Sequence, residues 1–229
     1  YVDVYETADT KKTTTVTAYD GLTALAKKKK FNELQIGYPI KLGDFAEQLV
    51  ESFGYTLIDD SGIVNLLDFT IKEGEINLNG DETVYDMLVA IAEITGTVCM
   101  CSGKKGIKFK RIDATTPDDA IDKSAYFNIG IRDYITLSGV ATTTPLGDNY
   151  LAGSDNHYVQ HVVDNPLLTL RDDIVAHTAL IYDLVANSRF VPYTFEGRGC
   201  PYYEIGDVLR VETNTSNMGY TNIVLFNET

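Results

Sequence analysis

The sequence has no tryptophan and only three cysteines, Cys99, Cys101 and Cys200. An odd, low cysteine number does not suit a disulfide scaffold; it suits a reducing compartment or plain core usage. Proline is scarce as well, six in 229 residues. No apolar run approaches the roughly 18 residues that span a bilayer, and no secretory signal is recognisable. Positive charge is in deficit: 19 Lys and Arg stand against 33 Asp and Glu, a net charge of −14. That balance opposes nucleic-acid or anionic-membrane binding as the main task. The one basic cluster, residues 27–30, closes a short helical pattern, where cations complement the helix dipole. It reads as a solvated helix end rather than a binding patch.

What is present is globular: 44% hydrophobic, 23% charged and 10% aromatic residues, with 15 Tyr and 18 Gly. The length suffices for one large domain or two ordinary ones with a real core, and the Tyr, Thr and Gly content favours strands and turns. The chain opens at Tyr1 in a strand-like pattern, which predicts a segment of a longer protein. Residues 1–20 predict two strands, followed by a short helix from Gly21. A helix is expected after an Asp44 cap, with Phe45, Leu49, Val50 and Phe53 on its apolar face and Gly54 at its end. A second is expected after Thr83, with Asp86 at the capping-box position, Val84, Met87, Leu88, Ile91 and Ile94 facing inward, and Gly96 closing it. A hairpin over 97–112 follows. Beyond a polar connector, strands are expected at 126–131, 134–141, 157–163, 189–195, 207–212 and 221–226, with 142–156 as an exposed loop. One helix interrupts them, capped by Thr169 with Asp172 three residues on, and presenting Leu170, Ile174, Ile181, Leu184 and Val185. About six strands and one helix suit a small closed barrel or a sandwich.

A search for chemistry assigns no catalytic, cofactor-binding or metal-ligating residue. Cys99 and Cys101 share one face of a strand, but a structural zinc site needs four ligands and no second close pair exists. Two small hydrophobes packed under a helix is the better reading. His157 and His161 have a helical chelating spacing, yet their segment reads as a strand, which separates them by about 13 Å. His177 stands alone on a helix and reads as a satisfied or partly exposed histidine. Ser102-Gly103-Lys104-Lys105 matches a serine-enzyme pattern but lies in a hairpin turn. No phosphate loop, dinucleotide fingerprint, His-Glu-x-x-His or Gly-x-Ser-x-Gly occurs. Asp59-Asp60-Ser61-Gly62 carries its glycine too early for a calcium loop. The pairs Asp118-Asp119 and Asp172-Asp173 read as connector and helix-start charges. Asn214-Thr215-Ser216 and Asn227-Glu228-Thr229 match glycosylation acceptors that only a secreted protein would use.

Three stretches in order carry a family resemblance. Thr15-Val16-Thr17-Ala18-Tyr19-Asp20-Gly21-Leu22 resembles the junction that ends the first barrel of phage tail hub proteins. The helix over 83–96 with the hairpin to Ile112 is similar to their inserted α/β region. Asn165-Pro166-Leu167-Leu168, the helix after it, the Tyr193 strand and Tyr203-Glu204-Ile205-Gly206-Asp207-Val208-Leu209-Arg210-Val211 resemble their second barrel. The family is that of baseplate hub and tail-associated proteins of tailed phages and prophages, related to the hubs of contractile injection systems.

The resemblance implies an α+β, mainly β fold in three parts. Residues 1–35 would hold the end of a first β-barrel and a junction helix, 36–122 an inserted α/β domain and connector, and 123–229 a second β-barrel with one packed helix. It implies a structural, non-enzymatic role at the virion tail tip, with the host cytoplasm as the place of assembly. The full-length protein would form a homotrimer whose two similar barrels per subunit make a quasi-sixfold ring continuing the tail tube. An acidic tube wall would repel DNA in transit. Its partners would be other tail proteins: distal tail or tube proteins, the tape measure, a spike or fibre. It implies no cofactor, no specific nucleic-acid binding and no membrane segment. Two alternatives stand beside it. One is a cell-wall-degrading tail enzyme whose catalytic part lies outside these residues. The other is a receptor- or carbohydrate-binding module using the tyrosines and the 142–156 loop.

Overall fold

A computed structural model describes residues 2–8, 13–18, 21–58, 68–103, 105–111, 116–131, 133–186, 189–197, 203, 206–212 and 221–224. The chain begins with an antiparallel hairpin, β1 (Val2–Ala8) and β2 (Thr13–Ala18). One π-helical turn over Leu22–Ala26 follows.

The next unit is an α/β layer. A two-residue strand, β3 (Ile40–Lys41), runs into helix α1 (Leu42–Glu51). The helix starts two residues before the expected Asp44 cap: Lys41 is the capping position and Asp44 lies in the first turn, where it still favours the dipole. Phe45, Leu49 and Val50 are buried. β4 (Thr56–Ile58) and the short β5 (Thr70–Ile71) precede helix α2 (Val84–Thr95). The capping box forms as its residues dictate: Asp86 N–H donates to Thr83 Oγ1 at 3.3 Å and Thr83 N–H donates to Asp86 Oδ2 at 2.8 Å. Gly96 closes α2 in the left-handed conformation, φ 63°, which a side chain disfavours. All five residues expected on the inner face, Val84, Met87, Leu88, Ile91 and Ile94, are at most 2% exposed. β6 (Thr97–Ser102) and β7 (Gly106–Arg111) then form the expected hairpin, and β4 joins β7 in parallel.

From residue 116 the chain is mainly β. β8 (Asp119–Ile121) lies in what reads from sequence as a connector. β9 (Tyr126–Ile131) and β10 (Ile135–Thr143) follow, and then β11 (Asn149–Gly153), inside the segment expected to be an exposed loop. Its alternation of exposed and half-buried residues shows why it is a strand: one face is turned inward beside β10. β12 (Tyr158–Val163) pairs in parallel on the other side of β10. Helix α3 (Ile174–Val185) is followed by β13 (Arg189–Phe190), β14 (Tyr193–Gly197), β15 (Val208–Val211) and β16 (Thr221–Val224).

Among the described residues these strands form separate sheets of two to four strands, and their pairings do not close the expected barrel. β13 pairs with β10, whereas β14 pairs with β9. The switch between the two sheets falls at Val191-Pro192, where proline removes a ladder donor.

Among the described residues, buried side chains form two clusters. The larger joins α1, α2 and the β6–β7 hairpin to Val140, Val162, Leu167, Leu168, Ile174 and Ile181. The smaller holds Ile121, Leu209 and Val211, with Tyr126, Ile129, Tyr203 and Ile223 packed around them. The architecture is thus α+β with small sheets and few helices, built around one large core and one small one.

Candidate functional site

The polar residues singled out in the sequence do not converge. Among the described residues no group of three or more His, Cys, Asp or Glu is arranged to hold a metal ion, and no helix is long and apolar enough to cross a membrane. Cys99 and Cys101 lie half-buried on β6 and pack against the large core; Cys101 Sγ accepts the Leu22 N–H at 3.3 Å. Cys200, Asp59-Asp60-Ser61-Gly62 and the two glycosylation motifs lie outside the described residues. His157 sits in the bend before β12 and His161 on it, both exposed. Ser102 ends β6 and Gly103 starts the turn to β7, away from any helix start. Asp118 and Asp119 have structural partners. Asp118 Oδ2 accepts the Val208 N–H at 2.8 Å and faces Lys110 at 3.5 Å. Asp119 accepts from the Tyr203 hydroxyl at 3.1 Å.

What the fold does bring together is a joint between the α/β layer and α3. Asn165 is 1% exposed, and its side-chain amide donates to the Ala90 carbonyl at 3.0 Å and to Glu93 Oε2 at 2.9 Å. Its oxygen accepts the Leu167 N–H at 3.0 Å. One side chain thereby ties the entry to α3 onto α2 and turns the chain so that Leu167 and Leu168 enter the core, as a buried amide must be satisfied. The Pro166 carbonyl accepts the Asn77 N–H at 2.9 Å. Burial raises the pKa of Glu93, and the Asn165 amide works against that rise.

A second set of contacts closes the same joint. The Arg171 guanidinium forks onto Asp173 at 2.8 and 2.9 Å, bonds the Thr70 carbonyl at 2.9 Å and meets Glu75 at 3.2 Å. Its plane lies over the Phe69 ring, 4.2 Å from the centroid. The His177 ring packs against the same phenyl at 4.9 Å, with Nε2 3.1 Å from Asp173 Oδ2. The Arg171 hydrogen bonds hold the Asp173 carboxyl below its ordinary range. Burial lowers the His177 pKa; Asp173 opposes this and Arg171 adds to it. This tertiary pairing explains the helix start. α3 begins at Ile174, not after Thr169, because residues 165–171 form a turn that buries Leu167 and Leu168 and commits Asp173 to Arg171. Among the described residues Thr169 caps nothing, and its buried hydroxyl meets no hydrogen-bond partner.

Between α2 and the C-terminal end of α3, over β6, lies a groove of about 410 Å³. Leu22, Leu88 and Ala92 form its floor, and Tyr85, Val89 and Val185 its rim. Two cations border it. Lys27 Nζ stands 4.8 Å from the Tyr85 ring centre, and Arg111 donates to the Leu184 carbonyl. Its polar lining includes Glu93, whose Oε2 accepts from the Asn165 amide.

Sequence reading missed both parts of this region. The Asp173–His177 spacing was a local signal, as was the Asn-Pro entry to the helix. Phe69, Thr70 and Glu75 lie about a hundred positions from Arg171, and no local pattern links them.

No family model matches the chain, and no curated protein matches it. The fold is similar to that of a tail protein from Neisseria meningitidis MC58, at 15% identity and a TM-score of 0.52, over 97% of this chain and 70% of that one. It is also similar to the 43 kDa tail protein of prophage MuSo2 from Shewanella oneidensis, at 14% identity and a TM-score of 0.57, over 98% of this chain and 72% of that one. At such identities the likeness is one of fold.

Proposed function

We propose that this chain is a structural, non-enzymatic component of a phage or prophage tail. More specifically, we read it as a subunit of a trimeric baseplate hub at the tail tip that continues the tail tube. The observation that carries the reading is the fold shared, over almost the whole chain, with tail proteins from two different bacteria. The order of the three hub-like stretches points the same way. The Asn165-Pro166-Leu167-Leu168 stretch is the buried joint that holds two layers in fixed relation, which a load-bearing ring subunit requires. In this reading the small sheets of residues 123–229 are barrel wall that is completed in the assembled ring. The other partners are tail proteins: distal tail or tube proteins, the tape measure, and a spike or fibre. The protein gathers in the host cytoplasm during assembly.

Deleting its gene from the source strain and imaging induced lysates tests this. A hub is needed for tails to be built, so the deletion is expected to leave no normal tails. Morphologically normal tails that have lost only adsorption or cell-wall digestion would overturn the hub reading in favour of a receptor-binding or enzymatic part.

A further inference from the structure

Helix α3 is apolar almost all the way round: its sequence is Ile-Val-Ala-His-Thr-Ala-Leu-Ile-Tyr-Asp-Leu-Val. A helix of that composition is normally covered on every side. Here Ile174, Thr178 and Ile181 are buried, while Val175 is 59% and Leu180 37% exposed, and Ala176 and Ala179 are open to solvent. Val175, Ala176, Ala179 and Leu180 share this exposed face of the helix and make one apolar stripe. Its two ends carry exposed carboxylates, Asp172 in the preceding turn and Asp183 in the last turn.

The groove between α2 and the end of α3 has the opposite character. Its walls are mostly apolar, with Glu93 bonded to the Asn165 amide; Arg111 lines it, and Lys27 stands beside it over the Tyr85 ring. The contacts of those cations are a ring face and a neutral carbonyl, so among the described residues neither charge is met in an ion pair. On a chain of net charge −14, copies repel each other in general. A cation-bordered apolar groove is the place where an acid-ended apolar stripe is accepted.

We propose that this groove receives the exposed stripe of α3 from a second copy of the same chain. Stripe and groove are different surfaces, so the contact is heterologous, head to tail, and repeats around a ring when the rotation closes. The inference rests on the hub reading for the ring and adds which surfaces meet.

The test uses the full-length protein, with two variants built from partly or fully exposed residues. The stripe variant is Val175→Asp with Leu180→Asp; the groove variant is Lys27→Glu with Val89→Asp. Unchanged far-UV circular dichroism and melting show that both still fold. In light scattering, each variant alone is expected to weaken self-association at least tenfold. A one-to-one mixture is expected to give a heterodimer, because one intact stripe and one intact groove remain between the two. Assembly of either folded variant as strong as wild type overturns the inference, as does failure of the mixture to pair. Incorporation of both variants into purified tails at the wild-type copy number would sink these surfaces and leave the hub reading standing. Absence of even the wild-type protein from tails would sink the hub reading itself.

Discussion

The two hydrophobic clusters are built to different standards. The large one takes side chains from both helices of the α/β layer, the β6–β7 hairpin, β10, β12 and α3, most of them at most 2% exposed. Among the described residues the small one has three buried members, Ile121, Leu209 and Val211, ringed by half-buried neighbours. Stability rises with the apolar area removed from water, so among the described residues the first region contributes the larger share. Among the described residues the second meets the large region where Lys110 of β7 faces Asp118 at 3.5 Å, and where Gly206, buried at φ 94°, packs against Met100 of β6. The difference teaches that, among the described residues, a large core carries a β unit with far less buried apolar surface of its own.

The sharpest way to break that comparison is to cut one leucine from each region. Leu168 is fully buried where α3 joins α2. Leu168→Ala is expected to cost about 2–5 kcal/mol in urea unfolding and to lower amide-exchange protection across α1, α2 and α3 together. Leu209→Ala, in the small cluster, is expected to fall at the low end of that range and to expose mainly the amides of β8, β15 and β16. Equal and global effects from both would mean one cooperative unit and no distinction.

Next in size is Asn165→Ala. It leaves the Ala90 carbonyl and the half-buried Glu93 without the amide, at about 1–3 kcal/mol. Asn165→Asp, which places a second carboxylate beside Glu93, should be worse than the alanine. A smaller loss for Asp would contradict the bonding pattern, as thermal melts of the two would reveal.

Gly206→Ala sharpens the comparison at the point of contact. Its φ of 94° disfavours any side chain, and a Cβ there would collide with Met100 Sδ. The expected cost is of order 1–3 kcal/mol. Hydrogen exchange should quicken in Val208–Val211 while α2 stays protected. Loss of protection in α2 to the same degree would show that the β unit is part of the main body.

The smallest effect is a pH slope from the joint. Burial sets the folded His177 pKa below its ordinary 6.5, so the unfolded chain binds a proton more readily. The stabilisation is complete above the ordinary value and is lost as the pH falls below it towards the folded value. Asp173, Arg171 and the Phe69 ring face this imidazole, and Asp173 limits the shift. His177→Gln should flatten the stability slope just below neutrality relative to wild type; a wild-type slope of opposite sign would refute the assignment.

Local grammar was legible in the sequence and tertiary choices were not. Thr83 and Asp86 make their capping box because every group involved lies within four residues. Thr169 and Asp172 carry the same signature and form none, since Arg171 takes Asp173 and the core takes Leu167 and Leu168. β11 looked like a polar loop because Asn149-Tyr150-Leu151-Ala152-Gly153 becomes a strand only beside β10. β8 is a strand through its parallel pairing with β15, some ninety positions away. Of the joint, Asn165 stood out in sequence, but its partners Ala90 and Glu93 could be named only from the fold.

The most direct test of the central claim is immunogold electron microscopy on tail particles induced from the source strain, with antibody against this chain. The account predicts gold at the distal tail tip. Gold spread along the tube, or particles that remain unlabelled and lack the chain on blotting after disruption, would contradict it.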